Sequence, residues 1–417
     1  MSPSTASPGS RRSRRGRSDR GSRLLGVDAA RGLALLGMMT VHVLPTSDEM
    51  TGEAAWPGLV LSGRSAALFA LLAGVGLALL SGGSDPDRPN ARAGWDRTVV
   101  AVRAVLIVLI GLAVALLDAE VAIILVHYGL LFLLALPFLR MGAKALFGLA
   151  AVWVAVGPVA LWWLHNRLRG TLEGFPDEWR LWHSPSFLDL STPGLTGMDL
   201  AVTGYYPLLI WPAYLFAGMA VGRLNLRSSA TALRIGIAGI ILAGITYLTG
   251  RLTLALSDLV PLFASDYSLS EDRVRGEILT GTHQLPLITE HEWFLLVTPH
   301  QGSTTDVLHT IGTALAVLGL CLLAADRLRW VLAPLIGAGA MPLTLYVGHL
   351  VVLHLWRGDN DLFGETGLLA QHSGTTMILA LTVAALTAGL MKHLIGRRGP
   401  LEALTHAAGL AAAGPRP

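Results

Sequence analysis

Residues 27–45, VDAARGLALLGMMTVHVLP, run into residues 47–56, SDEMTGEAAW, and their reading decides the fold. The first segment is long and apolar, yet it carries an acid, a guanidinium and an imidazole. A helix rising about 1.5 Å per residue sets Asp28 and Arg31 one turn apart at one end, with His42 roughly 16 Å further along. A helix that merely anchors a chain in lipid has no use for such groups, because an ionisable side chain in hydrocarbon costs at least about 2.5 kcal/mol. This helix is therefore expected to face protein or water.

The rest of the chain fits a membrane setting. Of 417 residues, 53% are hydrophobic and 14% charged, too apolar a balance for a soluble protein of this length. The expected fold class is all-α, a polytopic helical bundle of about ten transmembrane helices. The spans are expected near 24–44, 59–81, 98–117, 121–139, 143–164, 203–222, 231–254, 304–325, 330–356 and 374–395. Residues 1–22, RRSRRGR among Ser, Pro and Gly, have no apolar core and are expected to be a disordered basic cytoplasmic tail that sets topology rather than binding nucleic acid. One domain then covers 23–400, and 401–417 is expected as a short cytoplasmic tail. No small-residue cleavage site follows the first apolar run, which reads as an uncleaved anchor. Short loops holding Arg88, Arg92, Arg97, Arg140, Lys144, Arg223, Arg397 and Arg398 fall on the same side as the N-terminus, so that side is expected to be cytoplasmic and the protein a multi-pass resident of the plasma (inner) membrane.

The two longer connections, 165–202 and 255–303, then lie outside, with a shorter one at 357–373. Trp162, Trp163, Trp179 and Trp182 suit an interfacial aromatic belt, with a sugar-stacking platform as the alternative. Gly236, Gly239 and Gly244 point to close helix contacts.

Depth sorts the polar residues. His42, Arg64, His127 with Tyr128, and Tyr346 with His349 come from four expected helices and converge on the outer half of the bilayer, as a chamber opening outward requires. Near the inner face lie Asp28, Arg31, Arg97 and Arg103. Each has a plainer reading: Asp28 and Arg31 as an orienting i, i+3 pair, Arg103 as a snorkelling residue, a single buried His as a packed one. No metal is expected: HEW at 291–293 is not HExxH, and His349 and His354 are five apart and point to different helix faces. The single Cys321 excludes an intrachain disulfide and lies in an apolar run that suits no acyl carrier.

Several segments carry a resemblance. VDAARGLALLGMMTVHV, GRSAALFALLAGVGLAL, VHYGLLFLLALPFLR, TGYYPLLIWPAYLFAGMAVGRL, TPHQGSTTDVL, PLTLYVGHLVVL and GPLEAL resemble, in order, the actinobacterial members of the transmembrane acyltransferases related to heparan-alpha-glucosaminide N-acetyltransferase. The resemblance implies transfer of an acyl group, expected to be acetyl, from cytoplasmic acetyl-CoA or another acyl-CoA to an acceptor across the lipid bilayer, expected to be an envelope glycan or lipid-linked sugar. In the lysosomal member the active-site His lies three residues before a Trp in the segment after helix one. Before Trp56 this chain has Glu53 at that spacing, and His42 stands where that member has Asn.

Acyl transfer needs a base for the acceptor's proton and a donor to the oxyanion. His42 or Glu53 is expected as base, its imidazole alternative having an ordinary pKa of about 6.5. Arg64 and His127 are expected to steady the carbonyl and acceptor. Tyr128, Tyr205, His300, Tyr346 and His349 are expected to shape the substrate chamber, and Asp28, Arg31, Arg97 and Arg103 to meet the donor's phosphates. A homodimer is one expected assembly. The rival readings are a non-enzymatic carrier or flippase for a small polar or lipid-linked molecule, which accounts for a buried polar layer equally well, and a structural membrane protein, which leaves Arg64 unexplained.

Overall fold

The computed structural model describes residues 23–48, 50–85, 92–117, 119–281, 285–357 and 373–415. The expected N-terminal tail, Arg88 and most of the 357–373 connection lie outside the described residues. Among the described residues, sixteen α-helices follow one another: α1 Leu25–Val43, α2 Trp56–Val60, α3 Arg64–Leu80, α4 Arg92–Val114, α5 Leu125–Ala135, α6 Ala143–Arg169, α7 Pro193–Met198, α8 Pro212–Gly222, α9 Ser229–Leu256, α10 Leu259–Tyr267, α11 Glu271–Thr280, α12 Thr304–Ala324, α13 Ala333–Gly339, α14 Pro342–Arg357, α15 Gly374–Ile395 and α16 Pro400–Ala413. Among the described residues, β pairing is limited to an isolated bridge between Ser47 and Ala54.

Six of these stretches are long and apolar enough to cross a bilayer: Trp56–Leu80, Arg92–Leu117, Ala143–Arg169, Ser229–Leu256, Thr304–Ala324 and Gly374–Ile395. A seventh is counted if α13 and α14, bent by 86° at their junction, form one broken span. The expected ten spans are thus not all found, and the shortfall has a physical reason. Helix α8 has 11 residues, all buried, and the apolar helical stretch containing α5 ends at Phe138, after 14. Helices enclosed by protein need not match the roughly 20-residue thickness of hydrocarbon, since their ends find partners within the bundle. Arg223, just past α8, shows this: its guanidinium donates to the carbonyls of Ala78, Leu139, Met141 and Gly83 and to the Ser81 hydroxyl. Helix α1 is also enclosed, with Asp28, Ala30, Leu35 and Met39 among its buried residues.

Small residues set the helix crossings. A Cβ on Gly218 of α8 would lie 1.9 Å from the Leu71 carbonyl of α3, and one on Gly74 would lie 2.2 Å from the Leu215 carbonyl. A Cβ on Gly239 of α9 would lie 2.6 Å from the Gly312 carbonyl of α12, and one on Gly319 of α12 would lie 2.6 Å from Gly236 Cα, as expected of close contacts, whereas a Cβ on Gly244 would meet nothing within 4 Å. Outward faces of α9, α6 and α15 carry exposed Ile240, Ile245, Val156, Leu379 and Val383, suited to acyl chains.

Most of the stretch expected as a tail, up to Ala413, belongs to α16, which packs on α4 with Glu402 and Thr405 buried. The Glu402 carboxylate accepts from the backbone N–H groups of Leu343 (2.7 Å) and Thr344 (3.2 Å) and from the Thr344 hydroxyl. An acid thus satisfies the free amides where α14 starts, and the interaction needs a packed helix rather than a loose end.

Candidate functional site

Two cavities lie back to back within the bundle. The end where α1 begins is termed proximal and the end where it finishes distal. A distal chamber of about 630 Å³ is lined by Met38 and His42 of α1, Ser65 and Ala66 of α3, residues 119–123, Trp182, His183, Ser184, Tyr205, Tyr206 and His300. A proximal cavity of about 300 Å³ is lined by Arg23, Arg31, Phe69, Arg103, Leu125, Tyr128, Tyr346, Arg398, Glu402 and His406 among others.

The wall between them is thin. On α3, Ala66 belongs to the chamber and Phe69 to the proximal cavity, a separation of about one helical turn. Between α4 and α5, Ile123 faces one side and Leu125 the other, and the N–H of Ile124 donates to the Tyr346 hydroxyl at 3.4 Å. Above Tyr346, one turn on along α14, His349 meets His42: Nδ1 of His42 lies 3.0 Å from Nε2 of His349, the rings stacked at 5.3 Å. Tyr346 packs edge-on against both imidazoles. Arg357, at the end of α14, donates to the carbonyls of His42 and Ala119 and so ties α14 to the chamber rim.

A second aromatic line holds the far wall. Tyr206 packs against His127 at 5.5 Å and His300 at 5.8 Å, and its hydroxyl donates to the Ala122 carbonyl at 3.0 Å. His127 is buried against this ring rather than lining the chamber, and neither of its ring nitrogens has a hydrogen-bond partner. His300 adopts a left-handed backbone with φ of 64°, a conformation uncommon outside glycine, on the turn that carries it into the chamber. Burial, with Arg64 nearby, pushes its imidazole down to about 4, so it is neutral near pH 7.

At the proximal end Asp28 is buried between two guanidinium groups, pairing with Arg23 and, at 3.2 Å, with Arg31. Arg31 also donates to the Leu72 carbonyl of α3. Arg23, Arg31, Arg103 and Arg398 outnumber Asp28 and Glu402, and Glu402 is already engaged with α14, leaving a surplus of positive charge. A narrow apolar cavity with such a mouth suits an extended ligand whose anionic groups stay at the opening.

The structure brings together most of the residues singled out from sequence. His42, Tyr205 and His300 line the chamber, and Arg31 and Arg103 the proximal cavity, with Asp28 behind Arg31 and His349 behind His42. Tyr128 and Tyr346, expected to shape the substrate chamber, line the proximal cavity instead, because the α5 and α14 turns that carry them lie on the other side of the dividing wall. Three stand apart. Glu53 is exposed in the turn after α1 and is not part of the chamber lining. Arg97 is exposed and donates to the Leu136 carbonyl, away from the proximal cavity. Arg64 lies between chamber residues Gly63 and Ser65, with its charge felt by Asp306 and His309 of α12 as well as by His300.

Residues missed by sequence reasoning include Tyr206, His183 and Ser184 in the chamber and Arg398, Glu402 and His406 below. For Glu402 a signal existed, an acid two residues after a Gly-Pro helix start in GPLEAL. For His183 none did, since its partner Asp189, at 2.9 Å, is brought to it by an irregular loop.

No curated protein matches the chain. The family model for heparan-alpha-glucosaminide N-acetyltransferase, catalytic, matches residues 23–256, more than half of the chain. The match covers α1 through α9 and so includes the His42, Tyr128 and Tyr206 walls of both cavities. The chain therefore belongs to the heparan-alpha-glucosaminide N-acetyltransferase catalytic family, which supports an acetyltransferase-like function in a membrane protein.

Proposed function

We propose that the protein moves an acyl group, most simply acetyl, from a coenzyme A thioester in the proximal cavity to an amine or hydroxyl of a glycan or lipid-linked sugar in the distal chamber. The observation that carries this reading is the pair of cavities, one basic and narrow, one polar and wide, separated by a single layer of side chains. The proximal end is the cytoplasmic one in this reading, because the short Lys- and Arg-rich loops gather there.

Arg31, Arg103 and Arg398 meet the donor's phosphates at the cavity mouth, and the thioester reaches the wall at Tyr128 and Tyr346. The Tyr128 hydroxyl is buried without a partner, and that of Tyr346 accepts from Ile124 and keeps its own proton to donate. Both are suited to the oxyanion that forms when the acceptor attacks the thioester carbonyl.

His42 takes the acceptor's proton. When its Nδ1–H donates to His349, its Nε2 keeps a lone pair, so His349 fixes the useful tautomer. Collapse of the tetrahedral adduct breaks the carbon–sulfur bond. The thiolate leaves toward the proximal side and regains a proton there or from His42.

The test is transfer of radiolabel from acetyl-CoA to an amino sugar by the full chain in proteoliposomes. Replacing His42 with Gln should lower kcat by about 10²-fold or more. Full activity of that variant removes His42 from the chemistry, and passage of the sugar without labelling favours a carrier.

A further inference from the structure

A side pocket of about 280 Å³ opens beside the distal chamber and shares Trp182 and His300 with it. Its wall includes His165 and Arg169 of α6, Arg180 and Tyr267. The Arg180 guanidinium lies 4.7 Å from the Trp182 ring centroid and 4.6 Å from that of Tyr205, and it is hydrogen-bonded to Tyr205. Two aromatic rings thus lie against the cation, and its remaining N–H groups are left to be satisfied by something else.

Two of the Arg180 nitrogens are unsatisfied. Nε and Nη2 of Arg180 are shielded from solvent and have no hydrogen-bond partner, and Nδ1 of His165 is in the same condition. Asp177 and Asp199 are near enough for their charges to be felt, but Arg180 forms no ion pair among the described residues. A buried donor without an acceptor costs roughly 1–3 kcal/mol, more for a charged group, and an Arg edge is matched to two oxygens of one anion.

We propose that this pocket is an oxyanion subsite, taking a carboxylate or phosphate carried on the acceptor sugar at a distance from the reacting group. It rests on the acyl-transfer reading for the word acceptor, but sugar binding does not. An acceptor entering the chamber passes Trp182 and His300, places its nucleophile toward His42 and its acidic substituent on Arg180. Arg169, exposed at the end of α6, adds positive charge at the same pocket.

The test measures binding alone, by calorimetry on the purified full chain, so a failure of the chemistry cannot mimic a failure of the subsite. Glucose, glucuronate, glucose 6-phosphate and inorganic phosphate are the probes. Glucuronate and glucose 6-phosphate should bind about tenfold or more tightly than glucose. The preference should vanish in Arg180→Gln, persist in part in Arg180→Lys, and shrink in the wild type as salt rises. Equal affinity for charged and neutral sugars overturns the proposal, as does a preference that survives Arg180→Gln. Inorganic phosphate binding as tightly as glucose 6-phosphate also overturns it, since the site would then hold a free anion. If Arg180→Gln does not fold, the wild-type comparison and its salt dependence decide alone.

Discussion

His42 and His349 are 307 positions apart in the chain and share one hydrogen bond, so neither ring can be assigned a role without the other. Replacing His349 with Phe removes the acceptor that holds the His42 tautomer. It should lower kcat without matching the full loss of His42→Gln, as measured in the same labelling assay. Tyr128→Phe deletes one unpartnered hydroxyl of the proximal cavity and should cost about 10²-fold in kcat with little change in donor KM. Equal losses in kcat and donor affinity would make the hydroxyl a binding group instead. Away from the membrane helices, Asp199 illustrates a carboxylate held against its preference. Burial raises it to about 6, against the Leu181 N–H bond and the nearby Arg180 charge. Its folded value exceeds the ordinary 3.8, so its contribution to stability is present below about pH 4 and is lost as pH rises through about 6. Asp199→Asn should therefore gain stability over the wild type between pH 5 and pH 7.5 in thermal unfolding. A constant difference across that range would show that the carboxyl is not the cause.

At the scale of elements, the break between α13 and α14 is what aims Tyr346 and His349. Pro342 cannot continue a helix, and the 86° bend frees amide groups that Glu402 of α16 then takes up. Glu402→Ala should lower stability by about 1–2 kcal/mol, typical of a lost cap or helix-terminus charge, read as a drop in the unfolding midpoint in detergent. It should also lower kcat, because α14 carries half of the imidazole pair. The α3–α8 crossing is equally constrained. Gly218 leaves no space for a methyl group against the Leu71 carbonyl, so Gly218→Val should separate the helices and abolish the folded peak on size exclusion. Gly244→Ala, at an open position of α9, should be silent in the same measurement.

Across the whole molecule, two cavities lie back to back along α1, which is what transfer across a bilayer would require. Single cysteines replacing Arg398 and His183, in a Cys321→Ala background, should react with a membrane-impermeant maleimide from opposite faces of intact vesicles. Labelling of both from one face would place the two cavities on the same side and remove any transmembrane transfer. Much of this arrangement was legible in residue order. Polar groups buried in apolar runs are expensive, so their positions along the runs marked both ends of α1 and the pairing level of His42 and His349, whereas Tyr128 and Tyr346, expected in the same chamber, line the proximal cavity instead. Loops offered no such signal. Glu53 looked well placed by its spacing before Trp56 and Arg97 by its sign, yet a spacing along the chain does not say which way a turn or an exposed face points.

The amino-acid sequence by itself determined an all-helical membrane protein and some of the ionisable residues buried within it, because apolar run length and the cost of buried charge are local properties of the chain. Tertiary structure alone decided which helices cross, which stop short inside protein, and which imidazole meets which. Those outcomes depend on contacts between segments as far apart as α1 and α14. In such contacts a bend at Pro342 or a missing side chain at Gly218 sets distances that no local pattern encodes.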